Sequence, residues 1–243
     1  MGWRNRVEIS TGQEVASPNV REHYDARQTT IEFFVRLPRG TTAGGYGPAL
    51  LHINGKNPGA SLWLMMYTKM WAVQFAKRNG KTDWLYTFGA NLALPIAKGR
   101  EWHHVAIQWN CNDNGRVMRR LYLNGYPLAH GDSAGSFDWP KYWPLAVRPA
   151  PAGDWLYLGG NHLMDVLPAH FDELRISDIP RHPFMQGYPV RPGGTKAFCP
   201  PAEPFNVDEH LLALFHFDGN AEGVDKNGKK IKAVYHSSPP ALQ

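Results

Sequence analysis

The sequence predicts an all-β protein built as a two-sheet antiparallel sandwich. Three observations carry that prediction. Apolar residues recur with a period of two in many short runs: Ile31, Phe33 and Val35, then Val105, Ile107 and Trp109, then Leu121 and Leu123. That spacing sets alternate residues on opposite faces of a strand. Glycine and proline number 24 and 20 in 243 residues, and they punctuate the runs as turns between short strands do. No stretch sustains a helical period, beyond a single turn around residues 208–212.

The strongest pattern lies in residues 101–125 (EWHHVAIQWNCNDNGRVMRRLYLNG). Val105, Ile107 and Trp109 share one parity, and His104, Ala106 and Gln108 share the other. The cluster NCNDNG at 110–115 supplies a reversal, with Cys111 in the turn. Leu121 and Leu123 then alternate with Arg120 and Tyr122, and Asn124-Gly125 marks a second turn. Two strands joined by a short polar loop form a hairpin, taken as the centre of a sheet.

The remaining elements follow in chain order. Residues 6–10 (RVEIS) read as an edge strand and 11–27 as irregular. Residues 29–37 (TTIEFFVRL) form a strong strand ended by Pro38. A glycine-rich loop follows, with no GK[ST] and no helix to make it a phosphate site. Strands are expected at 49–53, 61–67, 71–76 and 83–88, several of them apolar on both faces. Residues 131–154 (GDSAGSFDWPKYWPLAVRPAPAGD) form a long aromatic loop. Strands at 155–158 and 171–176 follow, then a proline-rich strap over 177–205. The last strong strand is 211–217, a turn follows, and 231–235 is a short edge strand. The whole chain, 1–243, reads as a single domain.

Composition narrows the function classes. Hydrophobic residues make up 43% and charged residues 19%, a globular balance. The net charge of +5 is scattered, with local clusters only at 116–120 and 226–232. This pattern describes solvated surface charge rather than nucleic-acid binding, and it leaves an anionic polysaccharide open as a partner. No apolar run is long enough to insert into a bilayer, and residues 1–10 have no apolar signal core. If the protein is exported, its signal segment is not in this chain. Two cysteines, Cys111 and Cys199, match no metal motif. Either they form a disulfide that ties the strap down, which needs an oxidising compartment, or both are free thiols.

Several segments together resemble the laminin-G-like, concanavalin A-like lectin/glucanase family: WHHVAIQWN…LYLNGYPLA, WLYLGGNH and FDELRISDIPR, in that order, with TIEFFVRLP upstream and LLALFHFDG downstream. The resemblance spans residues 28–219. It implies a concanavalin A-like jelly roll in which the last strand returns beside the first, near 6–10. It also implies calcium near strand ends, with Asp172, Asp218 and Asp225 as candidate ligands. The alternative is that Asp218-Gly219 makes a turn and Asp172 braces a strand edge.

Catalysis has little support in the residues. Glycosidases on this scaffold need two carboxylates flanking the scissile bond, and no ExDxxE pattern is present. Asp172 and Glu173 are adjacent and so diverge on a strand. His103 and His104 diverge likewise, and no zinc or serine-nucleophile motif occurs. A lyase-like group of His104, Gln108, Arg120 and Tyr122 is conceivable on the central hairpin, but such residues also decorate a solvent-facing sheet. Nine tryptophans suggest stacking surfaces instead. Trp63, Tyr67, Trp71, Trp84 and Tyr86 lie on adjoining strands, either as a platform or as core. Trp139, Tyr142 and Trp143 offer a second surface on the long loop.

The expected function is therefore non-catalytic recognition, of carbohydrate first, at a cell surface or in extracellular matrix. The alternative is a structural module, part of a larger protein or assembly, docking onto a protein partner through its aromatic loop. A lyase or hydrolase ranks third.

Overall fold

The computed structural model describes residues 13–16, 28–37, 49–53, 62–66, 71–76, 82–86, 101–111, 117–133, 156–158, 169–185, 195–218, 222–232 and 234–237. Fifteen strands occupy them: β1 (Gln13–Ala16), β2 (Gln28–Arg36), β3 (Ala49–Ile53), β4 (Leu62–Met66), β5 (Trp71–Ala76), β6 (Thr82–Tyr86), β7 (His103–Cys111), β8 (Val117–Leu123), β9 (Tyr126–Ser133), β10 (Leu156–Leu158), β11 (His170–Ser177), β12 (Leu211–Phe215), β13 (Glu222–Val224), β14 (Lys230–Lys232) and β15 (Val234–Ser237). They form an eight-stranded sheet in the order β14-β13-β12-β11-β2-β7-β8-β9, a five-stranded sheet β10-β3-β4-β5-β6, and the pair β1-β15. Every pairing is antiparallel. The described residues include no helix.

One face of the eight-stranded sheet is a hydrophobic core face. Cross-strand pairs Ile31–Ile107 and Phe33–Val105 continue into Leu121 and Leu123 on β8. All are buried, as are Val35, Trp109, Phe171 and Ile176. Each such side chain contributes roughly 1.5–3 kcal/mol on leaving water. On the five-stranded sheet, Leu50, Leu51, Leu64 and Leu158 are buried.

The tight turn at Asn124-Gly125 has both residues at positive φ, 51° and 79°. That is the geometry the Asn-Gly pair supplies for a two-residue hairpin. Leu123 pairs with Tyr126 across it.

Several expectations need correction. The expected pairing of the last strand near residues 6–10 lies outside the described residues; among the described residues β12 pairs with β11 and β13. The irregular stretch 11–27 contains β1, which pairs with β15. The edge strand expected at 231–235 is two strands in two sheets. Residues 131–133, assigned to the aromatic loop, belong to β9. Cys111 is the last residue of β7, opposite Val117, and not part of the turn.

The disulfide alternative also fails, because Cys199 is a free, exposed cysteine. The reason is geometric. The strap is tied to the Asn124-Gly125 turn by Ala197 N–H donating to Gly125 O at 2.8 Å. That turn lies beside His104, to whose carbonyl Asn124 N–H donates. Cys111 is seven residues further along β7, roughly 23 Å away. Disulfide-bonded Cα atoms sit within about 7 Å of each other.

Candidate functional site

The second face of the eight-stranded sheet is polar and also buried. Register places Glu32 and Phe34 on β2 beside Ala106 and His104 on β7, and Gln108 and Ala106 beside Arg120 and Tyr122 on β8. The lyase-like four, His104, Gln108, Arg120 and Tyr122, do come together. Each is fully buried, which corrects the expectation of a solvent-facing decoration. The strap covers them, and Gln108, Arg120 and Tyr122 hydrogen-bond to it.

The strap is held like an added strand, with side chains replacing a backbone ladder. Gln108 Nε2 donates to His182 O at 2.7 Å, while its Oε1 accepts His182 N–H at 3.0 Å. Thr30 Oγ1 donates to Ile179 O at 2.8 Å and accepts Arg181 N–H at 2.9 Å. Tyr122 Oη donates to Pro183 O at 2.6 Å, and Arg120 Nε to Met185 O at 2.8 Å. Burial pushes the Tyr122 phenol well above its usual range, so it stays protonated and remains a donor.

Glu32 is the hub. Its Oε2 accepts from His104 Nε2 at 3.1 Å and from His182 Nε2 at 3.0 Å. Its Oε1 accepts from Arg175, Nε at 2.9 Å and the terminal nitrogen at 2.7 Å. Burial works against ionisation, but the bonds from His104 and His182 and the Arg175 charge outweigh it, holding the carboxyl far below its usual range. Burial likewise lowers the His104 pKa, despite Glu32 pulling the other way. The bond to Glu32 therefore fixes the Nε2–H tautomer of a neutral His104. On the strap, Phe198 stacks on His182 at 3.6 Å and 8°. The Arg175 guanidinium lies 3.9 Å from the centroid of Phe205.

Strict alternation breaks in β11, where the register shifts between Asp172 and Arg175 and Glu173 adopts φ 53°. This bulge holds Glu173 where its carboxylate accepts Phe205 N–H at 2.8 Å and meets His216 Nδ1 at 2.8 Å. That hydrogen bond raises the His216 pKa despite partial burial. Asp208 pairs with Arg181 at 2.7 Å, which lowers its pKa. Glu32, Glu173 and Asp208 are thus each committed to partners within the fold.

The structure does not gather the three metal candidates into one group. Asp225 Oδ1 already accepts N–H from Asn227 at 2.8 Å and from Lys229 at 2.9 Å, bracing the turn between β13 and β14. Asp172 is buried on β11, while Asp218 is exposed. Among the described residues no three acidic, histidine or cysteine side chains gather to hold an ion. His103 and His104 part as expected, His103 toward Asn124 and His104 toward Glu32.

The aromatic candidates divide by register on the five-stranded sheet. Tyr157 on β10 pairs with His52 on β3, His52 with Trp63 on β4, Trp63 with Gln74 on β5, and Gln74 with Trp84 on β6. The adjacent row is Leu158, Leu51, Leu64, Val73 and Leu85, and its described side chains are the buried leucines. Positions 52, 63, 74, 84 and 157 therefore belong to the opposite face. Tyr86 shares that face, whereas Trp71, opposite Met66, falls on the leucine face. Tyr67, Trp139, Tyr142 and Trp143 lie outside the described residues. Sequence reasoning named Trp63 and Trp84 but missed His52, Gln74 and Tyr157. Only knowledge of the pairing aligns them.

Solved structures similar to the chain at low identity include the following three. One is the CBM40 module of the IT-sialidase of Ruminococcus gnavus, bound to alpha2,3 sialyllactose, with a TM-score of 0.42 and 18% identity over 69% of this chain and 84% of that one. The binding domain of botulinum neurotoxin DC in complex with SialylT has a TM-score of 0.40 and 12% identity over 62% and 32%. The binding domain of Paraclostridial Mosquitocidal Protein 1 has a TM-score of 0.40 and 16% identity over 63% and 34%. No curated protein matches the chain. A family model described as the concanavalin A-like lectin/glucanases superfamily matches residues 10–183, from before β1 into the strap. With well over half its length matched, the chain belongs to the concanavalin A-like lectin/glucanases superfamily.

Proposed function

We propose that this protein is a non-catalytic recognition module that binds carbohydrate through the five-stranded sheet. One observation carries the reading: the cross-strand row Tyr157, His52, Trp63, Gln74 and Trp84, on the face opposite the buried leucines. Aromatic residues offer apolar plates for sugar rings, and His and Gln offer hydrogen bonds to hydroxyls. Membership of a superfamily that holds both lectins and glucanases is consistent with glycan recognition, but does not by itself choose between binding and cleavage. The described carboxylates favour binding, because Glu32, Glu173 and Asp208 are engaged by structural partners. Glycans of this kind are displayed at cell surfaces and in matrices, and we expect the protein to act there.

The test is affinity electrophoresis and a glycan array, run on the full chain and on Trp63→Ala and Trp84→Ala. Retention on at least one glycan, weakened in both variants, supports the reading. Absence of binding to every glycan and polysaccharide removes it. Turnover of a bound polysaccharide would replace it with an enzyme.

A further inference from the structure

We propose that Asn227 is a site of spontaneous covalent modification, converted by water to aspartate and isoaspartate through a succinimide formed with Gly228. The inference is independent of what the protein binds. It rests on a contrast between the two Asn-Gly pairs among the described residues, Asn124-Gly125 and Asn227-Gly228.

An Asn-Gly pair is prone to this reaction because glycine has no side chain to hinder its own backbone nitrogen. The Gly228 nitrogen attacks the side-chain carbonyl carbon of Asn227. A C–N bond forms and closes the ring, the bond from that carbon to Nδ2 breaks, and ammonia leaves with the proton of the Gly228 N–H. Water then opens the ring on either side, giving aspartate or an isoaspartate whose main chain carries one extra carbon. Nothing is oxidised or reduced. The side chain must be free to meet the next nitrogen, and the two pairs differ in that freedom. Asn124 is half-buried, and both ends of its amide are held: Oδ1 accepts His104 N–H at 2.9 Å, and Nδ2 donates to His103 Nδ1 at 2.9 Å. Its own N–H donates to His104 O, and Gly125 O accepts Ala197 N–H. Asn227 and Gly228 are exposed, and among the described residues no hydrogen bond holds the Asn227 side chain.

The turn itself is open. A Cβ built on Gly228 would meet nothing within 4 Å. The Asp225 carboxylate accepts N–H from Asn227 and Lys229, and the Asp225 carbonyl accepts Gly228 N–H at 3.0 Å. That last bond must open to release the attacking nitrogen. It lies at the tip of a hairpin whose outer strand, β14, has three residues and pairs with β13 at the end of the sheet. Such an end opens locally at low cost. The product places a negative charge among Lys226, Lys229 and Lys230, and isoaspartate lengthens the turn against the pairs Val224–Lys230 and Gly223–Ile231. Modification is therefore expected to loosen β13 and β14 and to leave the centre of the sheet intact.

The experiment is peptide mapping by mass spectrometry of the full native chain, aged at mildly acidic and mildly alkaline pH and digested separately with trypsin and chymotrypsin. An isoaspartyl methyltransferase assay is run on the same samples. Conversion at Asn227 is expected to outrun conversion at Asn124 fivefold or more, and to be faster at alkaline pH, where the attacking nitrogen loses its proton more readily. In guanidinium chloride the two sites should react at similar rates, since the fold is what separates them. Asn227→Gln should remove the signal from that peptide, because the longer side chain closes its ring far more slowly. Amide hydrogen exchange of the aged protein should quicken within 222–232 and stay unchanged in β2 and β7. Equal or faster conversion at Asn124 in the native chain would overturn the proposal. So would an Asn227 that stays intact in the native chain while the denatured chain reacts there, or a signal that persists in Asn227→Gln.

Discussion

Replacing Glu32 by glutamine tests whether the strap is held by a charged hub or merely laid over the sheet. The side chain keeps its shape and stays fully buried. Glu32 now accepts four hydrogen bonds, two from Arg175 and one each from His104 and His182. A glutamine amide accepts at one end only and donates at the other. With its oxygen toward Arg175, the amide NH₂ confronts two histidine N–H donors. Flipped, it confronts the guanidinium. His104 cannot simply change tautomer, because its Nδ1 is buried without a hydrogen-bond partner. Arg175, whose side chain is only 14% exposed, also loses its counter-charge. Removing one partner of a buried ion pair costs about 3–5 kcal/mol. For a domain of this size that corresponds to a fall in Tm of about 10 °C. Urea denaturation with linear extrapolation gives the change directly. Combining Glu32→Gln with His182→Gln should cost less than the sum, since both remove the same bond. A loss below about 1 kcal/mol, or strict additivity of the pair, would refute the hub.

Three further outcomes follow from the geometry. Stability should fall with acid in two stages. Below about pH 6.5 an unfolded histidine takes up a proton that buried His104 refuses, and below about pH 4.3 unfolded glutamate is neutralised while folded Glu32 stays charged. His216 has the opposite sign: its contribution is complete below about pH 6.5 and is lost as pH rises through its raised folded value, so His216→Gln should flatten the alkaline limb of a melting-temperature profile. Gly125→Ala should destabilise the protein and expose the strap to limited proteolysis within 195–205, because a Cβ at φ 79° runs into the Phe198 carbonyl oxygen; an unchanged digestion pattern would contradict that packing. Cys199 should react with a thiol reagent in the native protein, and reductant should leave Tm unchanged; a mass-spectrometric Cys111–Cys199 cross-link would show otherwise.

Local periodicity made much of the fold legible. Residues 49–53 and 71–76 were expected as strands and are β3 and β5 at the same limits. The Asn124-Gly125 reversal was expected from residue types alone and has the required positive φ. The strap's role was not legible, for a physical reason. Alternation tells which residues share a face but not what covers it. Glu32, His104, Gln108 and Arg120 are residue types that belong equally to a wet sheet and to a buried network. The deciding partner, His182, lies 150 residues from Glu32 and in a segment without periodicity. The bulge at Glu173 was hidden likewise, since a positive φ at a glutamate leaves no mark in composition. The row on the five-stranded sheet needed pairing register, which single-strand patterns do not contain.

The second face of the eight-stranded sheet is already occupied. On the eight-stranded sheet, the polar face grips the chain's own strap through backbone carbonyls of Ile179, His182, Pro183 and Met185. Those contacts are the kind a peptide ligand would make, and the fold has already filled them. The strap's bonds reach Thr30 and Glu32 on β2, Gln108 on β7, and Arg120 and Tyr122 on β8, at the centre of the larger sheet. A stiff scaffold lowers the ordering cost of binding elsewhere, because less freedom remains to be lost. Loosening the hub with Glu32→Gln should therefore weaken glycan binding less than Trp63→Ala does, while lowering stability far more. The reverse ranking would mean that the polar face, and not the aromatic row, meets the ligand.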